Sequence, residues 1–300
     1  AYIHLKFRCL SASRRVMDKE AYMKSCIRAE MYKAFHNKAF FVSLAIGLTM
    51  AAADILQNFI DMQSFPGAAA SPGGYDGVSL FVNWIGLNAY TLGYKLLLFT
   101  WPLLAALPFG WSLFSENKSR YSNQIIARVG KSSYLLAKAA ASFVAGGSVL
   151  FIPVAADLLL NALVCPACIP EVMTHVTAIR SGYFLSEMYY TQPWLFCAIW
   201  SGVIFLWGGV TATVCLAAAQ IFKHSAVVVI FPYVLYLVWT FAVSAVSGLT
   251  DVAVELSPIS LFSAAPYSSN PAYVIFTEMA VIMLVSMAVL FICEKKHENI

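Results

Sequence analysis

Three consecutive residues near the middle of the chain, Gly130, Lys131 and Ser132, match the end of a nucleotide-binding P-loop. In a P-loop the lysine contacts the phosphates of ATP and the hydroxyl group binds magnesium. The full motif, G-x-x-x-x-G-K-[ST] after a buried strand, requires a first glycine where this chain has Ile125. The residues before it are polar rather than strand-like, and those after it become strongly apolar. We therefore predict no site for ATP or magnesium in this chain.

A second arrangement that could do chemistry is Cys165-Pro-Ala-Cys168, followed by His175. The spacing suits a disulfide, a redox dithiol or half of a metal site. No second ligand pair and no thioredoxin-like βαβ pattern accompanies it, so three alternatives stay open: a disulfide, two unpaired thiols, or a metal or redox function. The chain also lacks the H-E-x-x-H and G-x-S-x-G motifs of hydrolases, and no enzymatic activity is predicted.

Four ionisable residues interrupt long apolar blocks: Asp54, Lys95, Asp157 and Glu278. Charges inside a bilayer are costly, and they usually form pairs or line a water-filled cavity. Counting along each block places all four in the outer half of the membrane. One interpretation is an outer gate in which Lys95 neutralises one or more of the carboxylates. The alternative for Lys95 and Asp54 is that their side chains merely extend to the outer interface.

The composition predicts that membrane helices position these residues. Of 300 residues, 60% are hydrophobic and 11% are charged, and the mean hydropathy is +0.74. Soluble domains carry roughly 25% charged residues, so this chain has too few to cover a surface in water. We predict an all-α membrane protein with six transmembrane helices, because six apolar blocks could cross about 30 Å of hydrocarbon. The blocks are approximately 39–56, 93–114, 139–164, 194–222, 226–249 and 272–293.

The positive charges predict the orientation of these spans. All but two of the 19 Lys and Arg residues fall on one side of the predicted membrane, and the exceptions are Lys95 and Arg180. The positive-inside rule then places both chain termini in the cytoplasm. We expect a multi-pass protein of the cell membrane that contacts lipid, and we expect no nucleic-acid partner.

The region before the first span divides into two predicted segments. Residues 1–16 are interpreted as an upstream extension outside the fold, because the chain does not begin with Met and Met17 precedes a helix-like segment. Residues 17–38 are predicted to form an amphipathic helix on the inner leaflet. An ordinary cytoplasmic extension of the first span is the alternative. The apolar stripe of this helix consists of Met23, Ile27, Met31 and Phe35.

The loop between the second and third predicted spans carries a distinctive pattern. It reads E-x-x-S-[RG]-Y, then R-x-G-[+]-x-x-Y-x-x-[AS]-K, within residues 103–143. Together with the six-span topology, this pattern resembles the membrane subunit of a type-2 ABC exporter. That family usually has a small residue before the first Tyr, where this chain has Arg120. The residues that carry the resemblance are Glu116, Ser119, Tyr121, Arg128, Gly130, Tyr134 and Lys138.

The resemblance implies a function for the chain. The loop from Glu116 to Lys131 would be the coupling region, which docks on a separate cytoplasmic ATPase subunit that binds ATP and Mg. Residues 39–300 would be a permease domain that pairs with an identical or similar permease subunit in the bacterial plasma membrane and exports an amphipathic or hydrophobic substrate. The mixed polarity of this loop favours docking over a merely solvated loop. The alternative function is a proton-coupled secondary carrier, or another ATPase-independent membrane protein, that uses Asp157 or Glu278.

Overall fold

The computed structural model of the protein describes residues 22–64, 79–170, 179, 183–247, 254–264 and 269–297. Within these ranges every regular element is an α-helix, apart from one isolated β-bridge between Val254 and Ser269. The all-α prediction is therefore confirmed. Residues 1–16, His175 and Arg180 lie outside the described residues, and the predictions made for them stay predictions.

Five helices in the described part of the chain are long and apolar enough to cross a membrane. They coincide with the first, third, fourth, fifth and sixth predicted blocks, which supports a multi-pass membrane protein. The orientation of the chain termini stays a prediction. The five are α2 (Lys38–Ser64), α7 (Lys131–Val164), α9 (Pro193–Ala218), α10 (Ser225–Ser247) and α12 (Ala272–His297). The shorter helices are α1 (22–35), α3 (Leu80–Asn83), α4 (Leu92–Ala106), α5 (Ser112–Lys118), α6 (Tyr121–Val129), α8 (Ser186–Thr191) and α11 (Pro258–Leu261).

The second predicted span, 93–114, is not one continuous helix. α4 has 15 residues, or about 22 Å at 1.5 Å per residue, and it ends before a turn that contains Pro108. Proline has no N–H to donate and kinks or breaks a helix: α4 accommodates Pro102 in its interior but ends before Pro108. The carbonyl oxygen of Pro108 instead accepts a hydrogen bond from Asn37 Nδ2 at 3.0 Å, which ties this turn to the start of α2. α4 is shorter than the usual spanning length, so a count of six spans stays a prediction.

The most extensive helix contact among the described residues is that between α7 and α9. A Cβ atom added to Gly146 would lie 2.5 Å from the Cβ of Ala212 and 2.8 Å from the carbonyl oxygen of Gly208. Only glycine allows the two backbones to approach this closely. α4 packs against the pair, and its Trp101 is fully buried and stacks on Phe262 with ring centroids 4.8 Å apart.

Two short helices, α3 and α11, fold into the bundle at the end remote from α1. Trp84, just after α3, is buried and donates its indole N–H to the carbonyl oxygen of Val154 in α7 at 3.1 Å. Trp200 of α9 donates to the carbonyl oxygen of Phe262, just after α11, at 3.3 Å. These hydrogen bonds satisfy indole groups that would be costly to bury unpaired. The connections at this end of the bundle are therefore part of its core.

Candidate functional site

The loop predicted to dock on a partner consists of two short helices with a sharp break at either end of the second. Arg120 separates α5 from α6 and has a left-handed backbone, with φ of 59°. Gly130 separates α6 from α7, with φ of 85°. A left-handed backbone costs a residue with a side chain about 1–2 kcal/mol, whereas glycine adopts it freely. These two residues set the direction of α6 relative to its neighbours.

Beneath this loop, Lys138 of α7 is fully buried and paired with two carboxylates. Its Nζ lies 2.7 Å from Glu116 Oε2 of α5 and 3.0 Å from Glu30 Oε2 of α1. The same ammonium group lies 4.9 Å from the ring centroid of Phe109 and 5.4 Å from that of Tyr134, within range of cation–π attraction. A buried ammonium ion needs such compensation, because burial removes its hydration.

Lys33 of α1 completes what we call the charged network. Its Nζ contacts Glu30 Oε1 at 2.7 Å and Glu116 Oε1 at 3.3 Å, so both carboxylates bridge the two lysines. Lys33 also lies 4.8 Å from the ring centroid of Tyr121, the first residue of α6. The hydroxyl of Tyr134 donates to Glu116 Oε2. The charged network thus joins α1, α5, α6 and the start of α7.

The electrostatics of the network favour its charged state. Burial raises the pKa of the Glu116 carboxyl, but the opposite charge of Lys138 and hydrogen bonds from Lys138 and Tyr134 outweigh burial. They hold this pKa below its ordinary value of 4.5. Burial likewise lowers the pKa of Lys33, but its hydrogen bond to Glu30 and the charges of Glu30 and Glu116 raise it above its ordinary value. Each charge stabilises its partners, so the network resists the loss of a proton from Lys33 and the gain of one by Glu116.

The surface of the loop that faces away from the helix bundle is polar and exposed. Tyr121 is 42% exposed, and the side chains of Arg120, Asn123 and Gln124 are exposed as well. Ser119 ends α5 and donates its hydroxyl to the carbonyl oxygen of Glu116 at 3.1 Å. The loop therefore has an inner side tied to the bundle and an outer side open to a partner.

The structure brings several predicted loop residues to one place and separates others. Glu116, Tyr121, Tyr134 and Lys138 meet in the charged network, while Lys131 begins α7. The side chain of Arg128 lies outside the described residues. The sequence analysis named Lys138 as a residue of the family-like motif, but it did not predict Glu30 or Lys33 as its partners. The i, i+3 pairing of Glu30 with Lys33 on a predicted helix was the available signal.

The apolar stripe of α1 packs on the protein. Ile27, Met31 and Phe35 are half-buried against the hydrophobic core. The face one residue earlier, formed by Cys26, Glu30 and Ala34, is buried still more deeply. The helix is therefore anchored by the charged network as well as by apolar contacts. The prediction that α1 also lies on lipid stays a prediction.

At the α3 end of the bundle, a second group of polar residues is buried, which we call the acidic cluster. It contains Asp54 and Asp157, both with 0% exposure, and the uncharged residues Asn58, Thr91 and Asn161. Asn58 Nδ2 donates to Asp54 Oδ2 at 2.9 Å and lies 3.3 Å from Asn161 Oδ1. The carboxyl groups of Asp54 and Asp157 are close enough to interact electrostatically.

The prediction that Lys95 neutralises these carboxylates is wrong in the structure. Lys95 is exposed on α4, and no ion pair joins it to Asp54 or Asp157 within the described residues. Position 95 lies on the outward face of α4, whereas Thr91, one turn earlier, faces Asp54 and donates its hydroxyl to it. The alternative that Asp54 extends to the interface is also wrong, because Asp54 is fully buried.

The remaining predicted residues lie apart from both groups. Both carboxylate oxygens of Glu278, in α12, are buried and have no hydrogen-bond partner among the described residues. Cys165 and Cys168 are free thiols, so the disulfide alternative is not the arrangement in the structure. The Cys165 thiol is buried and lies 3.7 Å from Asn83 Nδ2, while Cys168 is exposed. Within the described ranges, no group of three or more His, Cys, Asp or Glu residues is placed to hold a metal ion.

Comparison of the chain with family models, with curated proteins and with solved structures finds no match. A functional proposal for this chain therefore depends on its own geometry. The charged network supports such a proposal better than any other described feature, because Lys138 and Glu30 are buried, each of its charges is paired, and it lies directly beneath an exposed loop.

Proposed function

We propose that the chain is the membrane subunit of an ATP-driven exporter, with residues 116–131 docking on a separate cytoplasmic ATPase. The charged network is the observation that supports this proposal. A docked ATPase would act on the exposed side of α6, and Glu116 links the adjacent helix to two other helices through Lys33 and Lys138. Force on the loop would then reach α1 and α7 together.

The second support is the rigidity of that connection. α7 is a single helix from Lys131 to Val164, with Pro153 in its interior, so a displacement at its start would be passed along the helix. Buried ion pairs with several hydrogen bonds are costly to break singly, which makes the loop, α1 and α7 move as one body. Gly130 makes the sharp turn between α6 and α7, with a φ of 85° that glycine adopts without steric cost.

Apolar helix faces support the proposal of a paired subunit and an apolar cargo. Phe241 of α10 is 71% exposed, and Leu284 and Ile292 of α12 are 69% and 66% exposed. In a bilayer such faces contact lipid or another membrane helix. We propose that part of this surface contacts a second, identical or similar subunit, and that an amphipathic or hydrophobic substrate passes between the two.

A steric block on the exposed face of α6 tests ATPase docking. Asn123→Trp adds a bulky side chain at an exposed position, and the charged network contains no contact with Asn123. We expect the purified wild-type complex to contain a subunit with vanadate-sensitive ATPase activity, and Asn123→Trp to lose most of that subunit. His224→Trp is the matched control, since His224 is exposed in the turn between α9 and α10, outside the docking loop. Equal ATPase recovery from both variants would contradict docking through this loop.

One observation favours a second candidate function. Glu278 has two buried, unpaired carboxylate oxygens in a predicted span, an arrangement that suits a proton carrier. A secondary carrier would transport without an ATPase, would follow an imposed proton gradient in vesicles and would stop with Glu278→Gln. An ATP-driven exporter would need the ATPase and would respond to ATP in the same assay, so the two functions give opposite results.

A further inference from the structure

Asp54 in the acidic cluster has a complete set of hydrogen bonds. Its Oδ2 accepts from Asn58 Nδ2 at 2.9 Å, and its Oδ1 accepts from the hydroxyl of Thr91. Both donors are themselves buried. Hydrogen bonds from neutral donors to both oxygens suit a carboxylate that carries its negative charge.

Asp157, on the facing helix, is incompletely bonded. Its Oδ2 accepts the backbone N–H of Ile85 at 2.8 Å, but its Oδ1 is buried and has no hydrogen-bond partner among the described residues. One turn later, Asn161 Nδ2 is also buried without such a partner. The Asn161 amide faces the Asp157 carboxyl as a hydrogen-bond donor, but the contact is not close and linear enough to pair either Asn161 Nδ2 or Asp157 Oδ1. Buried polar atoms rarely remain unpaired, so Asp157 Oδ1 needs a further partner besides the distant Asn161 amide.

The acidic cluster also lacks a compensating positive charge. Within the described residues no lysine or arginine forms an ion pair with Asp54 or Asp157. Two carboxylates that interact in a buried, low-dielectric site cannot both stay charged without a cation. Among the described residues, other titratable groups near this end include the buried Cys165 thiol, the exposed Cys168 thiol, the exposed Tyr90, the Tyr94 hydroxyl, which donates to Ser263, and the exposed Lys95 and Asp61.

We propose that Asp54 and Asp157 together bind one small monovalent cation, either H⁺ or Na⁺, at the unpaired Oδ1 of Asp157. Either ion supplies the single positive charge that the cluster lacks. A proton would make Oδ1 a hydroxyl donor, while Na⁺ would bind to carboxylate and amide oxygens, the ligands that hard cations prefer. This inference does not depend on the proposed ATPase.

Cation binding would fix the position of α3. The contacts that hold α3 and its following turn to the bundle include the Ile85 N–H on Asp157 Oδ2. Asn58 Nδ2 also donates to the carbonyl oxygen of Asn83 at 2.9 Å. Loss of the cation would leave two repelling carboxylates between α2 and α7, directly beneath these contacts. The bound cation therefore stabilises the α3 end of the bundle.

The test is the thermal stability of the full chain in detergent, followed by the fluorescence of its seven Trp residues. The melting temperature of the wild type is measured from mildly acidic to alkaline pH in choline buffer, with and without added NaCl. In choline we expect the Tm to fall by roughly 2–4 °C per pH unit as the bound proton is lost. Recovery on addition of Na⁺ at alkaline pH identifies Na⁺ as a ligand, and a fall that Na⁺ does not reverse identifies H⁺ alone.

Substitutions assign the effect to the cluster. Asp157→Asn removes one negative charge and supplies an amide donor, so we expect it to abolish the dependence on pH and Na⁺. If Asp157→Asn fails to fold, Asp54→Asn tests the same expectation, since it should also abolish the dependence of the Tm on pH and Na⁺. Asp61→Asn, at an exposed position on α2, is the matched control and should retain the wild-type dependence. The proposal is overturned if the wild-type Tm responds to neither ion, or if the response persists in both cluster variants.

Discussion

The two buried polar groups on α7 solve the same electrostatic problem in different ways. Lys138 and Asp157 are 19 residues apart, about 28 Å along a helix, so they lie near opposite ends of the bundle. Both side chains have 0% exposure. Lys138 lies between two carboxylates from other helices, whereas Asp157 faces a second acid and uncharged amides.

The difference indicates what each end can do. A charge compensated by side chains stays compensated as long as the fold is intact, so the charged network acts as a permanent link between α1, α5 and α7. A charge without a side-chain partner depends on something that binds from outside, so the acidic cluster can change with the ions around it. One end of α7 therefore suits the proposed mechanical connection, and the other end suits the proposed response to ions.

The largest expected effect is that of removing the lysine from the charged network. Lys138→Met replaces the lysine by an uncharged side chain of similar length. It leaves the carboxylates of Glu30 and Glu116 near each other, with only the partly exposed Lys33 to compensate their charge. Breaking a buried ion pair by removing one partner typically costs about 3–5 kcal/mol. We expect a correspondingly large fall in the free energy of unfolding, measured by thermal or denaturant unfolding in detergent.

Two other substitutions turn this measurement into a test of the comparison. Lys24→Met, at an exposed position of α1, should change the free energy of unfolding by less than about 0.5 kcal/mol. Asp157→Asn should be nearly neutral or stabilising at neutral pH without Na⁺, because it removes an uncompensated charge. If Asp157→Asn cost as much as Lys138→Met, the two ends of α7 would not differ in the way described.

A smaller effect is expected from the acid side of the network. Glu116→Gln removes one charge but leaves the pair between Lys138 and Glu30, so a loss of about 1–3 kcal/mol is expected at neutral pH. Since the folded pKa of Glu116 lies below 4.5, its stabilisation is complete above that pH and is lost as the pH falls through the lowered value.

The difference in Tm between wild type and Glu116→Gln, measured as a function of pH, reports this directly. It should be constant from neutral pH to about pH 5 and shrink under stronger acid. Glu187→Gln, at an exposed position of α8, should show no such difference at any pH. A difference that grew as the pH fell would mean that Glu116 is not held in its charged form by the network.

Much of the fold was predictable because apolar length alone defines a membrane helix. Five of the six predicted blocks correspond to long apolar helices. The second block failed as a continuous helix because Pro108 ends α4, a local effect that a count of apolar residues does not register. The sequence showed Arg120 only as a departure from the small residue of the resembled family. In the structure Arg120 has a left-handed backbone, which is a physical reason for a small residue at this position.

The candidate site was less predictable, because it depends on contacts between distant parts of the chain. Lys138 and Glu116 stood in one motif, but their partner Glu30 is 108 residues away from Lys138. Lys95 was assigned to the wrong role because charge and depth do not reveal which face of a helix turns inward. The pairing of Asp54 with Asp157 was likewise invisible, since it depends on how α2 and α7 are rotated about their axes.

The smallest effect is expected at Arg120, a residue near the charged network whose left-handed backbone is strained. Arg120→Gly should raise the free energy of unfolding by up to about 1 kcal/mol, because glycine adopts the left-handed backbone without steric cost. Part of this gain is offset by the greater freedom of glycine in the unfolded chain. Arg120→Ala removes the same charge but keeps the Cβ atom, so it should give little or no gain in the same unfolding measurement. Equal gains from Gly and Ala would assign the effect to the lost charge, and a loss with Gly would show that the arginine side chain itself stabilises the loop.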